Sequence, residues 1–204
     1  MIRLGLTGSI GMGKSTASRQ LARFGIPIHD ADATVHRLLA KGGAAVARIA
    51  RDFPDAVIGG AVDRRRLGAL VFGDDEALAR LEAILHPLVR AEERRFLARM
   101  RRRRKAIVVL DIPLLFESGG AARMDKVMVV SCPAFLQRQR VMARPGMTDE
   151  KLDAILARQT PDQDKRRRAD IVIPTGIGRR PALRRLTEAL RALRVRPSGS
   201  RCGI

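Results

Sequence analysis

Gly8-Ser9-Ile10-Gly11-Met12-Gly13-Lys14-Ser15 constrains this chain more than any other stretch. It follows an apolar run, Ile2 to Leu6, and precedes a segment of helical character from Thr16 to Phe24. Strand, glycine-rich turn, helix is the context that a phosphate-binding loop requires. Glycines let the backbone turn tightly and bring N–H groups close to a phosphate with no side chain in the way. The positive end of the new helix adds to the same spot. The amides of Gly11, Met12, Gly13, Lys14, Ser15 and Thr16 are therefore expected to hold a nucleoside triphosphate. Lys14 is expected to reach the β- and γ-phosphates, and the Ser15 hydroxyl to ligate Mg²⁺.

The rest of the chain supplies the matching strands. Gly25 to Ile28 reads as a turn entering a short strand that ends at His29-Asp30-Ala31-Asp32. Ala106 to Asp111, Lys126 to Ser131 and Asp170 to Pro174 complete a set of five apolar strands alternating with helices. That order predicts an α/β fold: three layers around a parallel five-stranded sheet, with a helical insert and a lid. Ligands in such sheets bind at the carboxyl ends of the strands, so Asp32 and Asp111 should lie near the loop. Asp32 is the candidate for accepting a proton from an acceptor hydroxyl, while Asp30 reads equally well as a helix cap. Asp111 ends its strand as a Mg²⁺-holding acid would, a capping or turn role being the alternative.

Between these strands, residues 33–105 are mainly helical, more than one crossover needs, and suit an acceptor-binding insert. Residues 55–62 read as a turn-rich connection. Asp63 should cap a helix that Gly73 stops, and Pro87 should kink or split the helix from Asp74 to Arg104. Around 138–150, two helix-like segments flank Pro145-Gly146, with Thr148 as a cap. This arginine-rich pair is placed as a mobile lid, from which Arg140 or Arg144 could neutralise charge on a transferred phosphoryl group. A final amphipathic helix carries Leu183, Leu186, Leu190 and Leu193 on one face. Residues 196–204 read as a flexible tail.

The chain has 204 residues and a formal charge of +19. Such a charge raises nucleic-acid binding, yet Tyr, Trp and Asn are absent and six phenylalanines leave little for stacking bases. Surface arginine is the simpler reading, and no specific nucleic-acid partner is expected. No apolar run approaches the roughly 20 residues of a membrane span. Cys132 and Cys202 have no metal spacing, so a reducing, cytoplasmic location is expected.

Taken together, residues 1–195 resemble the dephospho-CoA kinase family. The resemblance rests on Leu6-Thr7 with the glycine-rich loop, Asp30-Ala31-Asp32, Asp63-Arg64 with Leu67 and Val71-Phe72, and Leu85-His86-Pro87-Leu88. It continues through Pro113 to Glu117, Gln137-Arg138 to Arg144, Met147-Thr148, Arg158-Gln159 and Ala169 to Ile173. It implies ATP-dependent phosphorylation of the ribose 3′-hydroxyl of dephospho-CoA. It also implies Asp32 as base, an insert that holds the substrate, and a lid that closes over ATP. Another small-molecule P-loop kinase, acting on a nucleoside monophosphate or a sugar, is the nearest alternative; a P-loop nucleic-acid-binding protein is a further one. Met12 stands where the family has a small residue, Ser9 where it often has glycine, and the Asn-rich turn after the last strand is missing. The Met12 side chain is expected to point away from the phosphates.

Overall fold

Strand β1 (Ile2–Thr7) lies between β5 (Ile107–Asp111) and β6 (Lys126–Ser131), parallel to both. With both edges paired and helices on both faces, such strands must be apolar throughout. All five residues of β5 are buried, as are five of six in β1. The order of the main sheet is β2-β5-β1-β6-β7, with β2 at Ile28–Asp30 and β7 at Ile171–Pro174. Leu4 pairs with Val109, and Val130 with Ile173. The computed structural model describes residues 1–194; the expected tail, 196–204, lies outside the described residues.

The chain divides into two compact units, one of Met1–Ile28 with the chain from Lys105 onward, the other His29–Arg104. In the first unit, α1 (Lys14–Arg23) and α9 (Arg179–Arg194) pack against one face of the sheet. Leu4, Leu6, Leu21, Met128, Leu186 and Leu190 form that core. The opposite face is covered by Leu115, Phe116 and Ile112, which pack with Val127 and Val129. Those two cores give the three layers that the strand order predicts. Helices α6 (Ala134–Met142) and α7 (Asp149–Ala157) follow β6, and Thr148 caps α7 by accepting the Lys151 N–H at 3.4 Å. A further helix, α8 (Asp162–Arg168), had no expectation in the sequence. Its Pro161, early acids and late arginines are nevertheless the marks of a helix start and stop.

The second unit carries its own core of Leu38, Ile49, Phe53, Val62, Leu67 and Leu81. Helices α2 (Ala31–Leu39), α3 (Val46–Asp52), α4 (Arg64–Val71) and α5 (Asp75–Arg102) surround it. Asp63 caps α4, its Oδ1 accepting the N–H groups of Arg65 and Arg66. Two expectations need correction. Residues 55–62 hold a small antiparallel hairpin of β3 (Val57–Ile58) and β4 (Ala61–Val62). Its turn residues Gly59 and Gly60 both have positive φ, 58° and 79°, as a tight two-residue hairpin turn requires. Of the two outcomes expected at Pro87, the split does not occur: helix α5 runs as one 28-residue element through it. Proline removes one N–H donor, but Ala77, Leu81, Leu85, Leu88 and Val89 anchor the helix to the core on both sides of the gap.

At the end of α5, Arg104 has φ +50° and is the one non-glycine residue with positive φ among those described. A left-handed residue after a helix C-terminus is ordinarily glycine, because a Cβ there costs about 1 kcal/mol. Arg104→Gly should therefore stabilise the protein by roughly 0.5–1 kcal/mol and raise its melting temperature by about 1–4 °C, read by thermal unfolding.

Candidate active site

The glycine-rich loop closes by a turn in which Met12 N–H donates to the Ser9 carbonyl at 3.2 Å. Gly11 and Gly13 follow with φ +77° and +91°, a conformation that L side chains resist. At Gly11 there is no room either: a Cβ would stand 2.6 Å from Val141 Cγ2 and 3.0 Å from the Gln137 carbonyl oxygen. Helix α1 then starts with no side-chain cap and no acid in its first turn. The amides of Gly11, Gly13, Lys14 and Ser15 accordingly have no hydrogen-bond acceptor among the described residues. Unsatisfied donors and a helix N-terminus converge on one small volume, which is what an anion needs. Met12 turns the other way. It is 2% exposed within the core, and its Sδ accepts the Cys132 N–H at 3.1 Å. Ser9 has no positive φ, so a residue with a side chain is accommodated there.

Lys14 and Asp111 meet. Lys14 Nζ lies 2.6 Å from Asp111 Oδ1, with the Asp111 side chain only 3% exposed. The end of β5 thus stands beside the start of α1, where Ser15 follows Lys14 in the chain. Among the described residues no group of three His, Cys, Asp or Glu side chains gathers to hold a metal. Mg²⁺ in phosphate-handling sites takes one or two protein oxygens and completes its shell with phosphates and water. One buried carboxylate and one hydroxyl beside an anion cradle fit that requirement.

Side chains from the later part of the chain grip the loop from outside. Gln159 Oε1 accepts the Ile10 N–H at 3.2 Å, and Gln137 Nε2 donates to the Ile10 carbonyl at 2.8 Å. Thr175 Oγ1 donates to the Met12 carbonyl at 2.7 Å. Arg140 reaches the same place, donating to the Thr175 carbonyl at 2.8 Å and, at longer range, to the Gly11 carbonyl. Arg144 is exposed, and its side chain has no partner among the described residues. Of the two lid arginines named from the sequence, only Arg140 is placed at the loop.

Asp32 belongs to the second unit, where it sits exposed in the first turn of α2. The cap of that helix is Asp30, whose Oδ1 accepts the Ala33 N–H at 2.9 Å. Among the described residues the Asp32 carboxylate has no hydrogen-bond or ion-pair partner, and its charge sits in the first turn of α2. His29 is buried against Phe96, ring centroids 5.4 Å apart. Burial first of all pushes its pKa down, while Glu93 opposes that shift.

Sequence reasoning missed Lys165. It is fully buried, yet its ammonium lies 2.9 Å from Glu117 Oε1 and 3.3 Å from Ser9 Oγ. It comes from the charge-rich run Asp162 to Arg168, which reads as a solvated surface. Burial pushes the Glu117 carboxyl up, but the hydrogen bonds from Lys165 and the Thr160 N–H outweigh it. Its pKa ends below the ordinary glutamate value of about 4.5. A depressed carboxylate contributes stability above its unfolded pKa and loses it as pH falls through the folded value. Glu117→Gln should therefore be less stable than the parent at pH 7, with the gap narrowing as pH drops below about 4.5. Denaturant unfolding at several pH values reads this directly.

The chain is similar to known proteins of one family. A family model described as dephospho-CoA kinase matches residues 2–177. The chain is 68% identical over 163 residues to the dephospho-CoA kinase of Paramagnetospirillum magneticum, covering 80% of this chain and 77% of that one. It is 58% identical over 202 residues to that of Rhodospirillum rubrum, covering 98% and 92% of the two chains. Among solved structures, a Thermus thermophilus protein superposes with a TM-score of 0.82 at 40% identity, over 94% of this chain and 96% of that one. A loop built for phosphates, an acid paired with its lysine and this extent of likeness lead to one assignment: the chain belongs to the dephospho-CoA kinase family.

Proposed function

We propose that this chain transfers the γ-phosphoryl group of ATP to the ribose 3′-hydroxyl of dephospho-CoA, giving ADP and coenzyme A. The observation that carries the reading is the open amide cradle of Gly11, Gly13, Lys14 and Ser15 with the Lys14–Asp111 pair at its edge. Lys14 would leave Asp111 for the β- and γ-phosphates, and the open amides of Gly11, Gly13, Lys14 and Ser15 would hold the triphosphate, the Met12 and Thr16 N–H groups being taken by the Ser9 and Gly13 carbonyls. Ser15, with Asp111 directly or through water, would hold Mg²⁺, which when bound screens phosphate charge and fixes phosphate orientation. Asp32 would orient the acceptor hydroxyl and take its proton.

Residues 33–105 serve as the substrate-binding insert in this reading, and residues 138–150 as the lid. Arg138 Nη2 lies 2.6 Å from Asp149 Oδ1, an ion pair that supports α6 and α7 moving together. Arg140 supplies charge to the transferred group, and Arg144 is the lid arginine still free to approach it. Closure would exclude water, which otherwise competes for the phosphoryl group. Among the described residues no helix is long and apolar enough to cross a membrane. A cytoplasmic location accompanies the reading, supported by Cys132 standing as a buried free thiol.

The test is ATP turnover by the purified chain with and without dephospho-CoA, with the product identified. Strong stimulation with coenzyme A formed is the expected result. Turnover with a nucleoside monophosphate or a sugar instead would overturn the substrate assignment.

A further inference from the structure

We infer that Lys165 is a positioning residue for the phosphate-binding loop, holding Ser9 so that the amides of Gly11 to Ser15 stand ready for the nucleotide. A buried ammonium costs several kcal/mol unless it is paired and hydrogen-bonded. Glu117 supplies the paired charge at 2.9 Å. A purely structural lysine would need no more than that, and an apolar side chain of similar volume would pack there as well. The second contact points to the loop: Lys165 Nζ lies 3.3 Å from Ser9 Oγ, and Ser9 is itself 5% exposed.

Ser9 also carries the turn. Its carbonyl accepts the Met12 N–H, the bond that sets the chain's direction into Gly11 and Gly13. The next residue, Ile10, has both backbone groups taken by Gln159 and Gln137. Gln159 lies in the passage from α7 into α8, and Lys165 lies four residues into α8. Glu117, which follows β5, ties this stretch down twice, through Lys165 and through the Thr160 N–H at 2.8 Å. The outer rim of the loop is thus fastened at successive residues while its phosphate-facing amides stay open. Preorganised donors of this kind need no rearrangement when an anion arrives.

This inference rests on the nucleotide-binding part of the kinase reading, and its test is separable from the acceptor. ADP affinity, measured by calorimetric titration, is compared for the parent chain, Ser9→Ala and Lys165→Met, alongside KM for ATP and for dephospho-CoA. Ser9→Ala removes the loop-side partner and leaves Lys165–Glu117 intact, so it is expected to keep its melting temperature. It should bind ADP about five- to tenfold more weakly. KM for ATP should rise in parallel, with KM for dephospho-CoA unmoved. Lys165→Met should show the same split more strongly. If it fails to fold, Ser9→Ala decides alone. ADP affinity of Ser9→Ala within twofold of the parent would overturn the proposal. So would a rise in both KM values together. A parent chain that binds ADP but ignores dephospho-CoA would instead sink the substrate reading, and the ADP titrations would still decide the role of Lys165.

Discussion

Asp32→Asn should lose about 10²–10⁴-fold in kcat while binding ADP as tightly as the parent. Asparagine keeps the size and hydrogen-bonding reach of the side chain but cannot take the hydroxyl proton. The stability cost should be small, because Asp32 is exposed and Asp30 already caps α2. What remains is loss of one negative charge near a helix N-terminus, worth about 0.3–1 kcal/mol. Asp30→Ala is the useful contrast. It removes the side-chain acceptor for the Ala33 N–H and should cost about 1 kcal/mol of stability. Two acids two residues apart would then separate cleanly, one by turnover and the other by melting temperature. An Asp32→Asn enzyme turning over within a few-fold of the parent would remove Asp32 from the role of base.

That pair also marks where the sequence stops being informative. Either aspartate could cap a helix, and only the bond from Ala33 N–H tells which one does. The glycine-rich loop was legible because its flanks and its glycines answer one geometric demand, positive φ beside an uncapped helix. Strands β1, β5 and β6 were legible because burial on both faces leaves an unbroken apolar run. Strand β2, expected to follow the Gly25–Ile28 turn and end at His29 to Asp32, lies at Ile28–Asp30. Pro27 has no N–H to offer a ladder, and it takes part through its carbonyl, which accepts the Val109 N–H. Helix α5 is not split at Pro87, because tertiary packing holds both halves. Lys165 was illegible for a different reason. Its partners Glu117 and Ser9 are distant in sequence, and nothing local distinguishes a buried lysine from its solvated neighbours. The hairpin at Val57–Val62 was too short for a periodic signal, although Gly59-Gly60 was its turn in plain view.

Lys14→Met should do two things at once. Turnover should fall by at least about 10²–10³-fold, because the loop loses the one side-chain charge aimed at the transferring phosphates. Stability should fall as well, by about 2–3 kcal/mol, or roughly 4–12 °C in melting temperature. The reason is Asp111: its carboxylate is 3% exposed and loses the ammonium 2.6 Å away. The figure sits below that for a fully buried pair because Lys14 is 18% exposed and water already shares in the solvation. The double variant Lys14→Met/Asp111→Asn separates the effects. Replacing the buried carboxylate by a neutral amide should restore part of the stability and none of the turnover. A Lys14→Met protein that melts with the parent would mean that the ion pair does not form in solution. Turnover that survives the substitution would mean that the loop lysine never reaches the phosphates. If both losses appear and only one is reversed, the same ammonium serves the fold before the nucleotide binds and the phosphates afterwards.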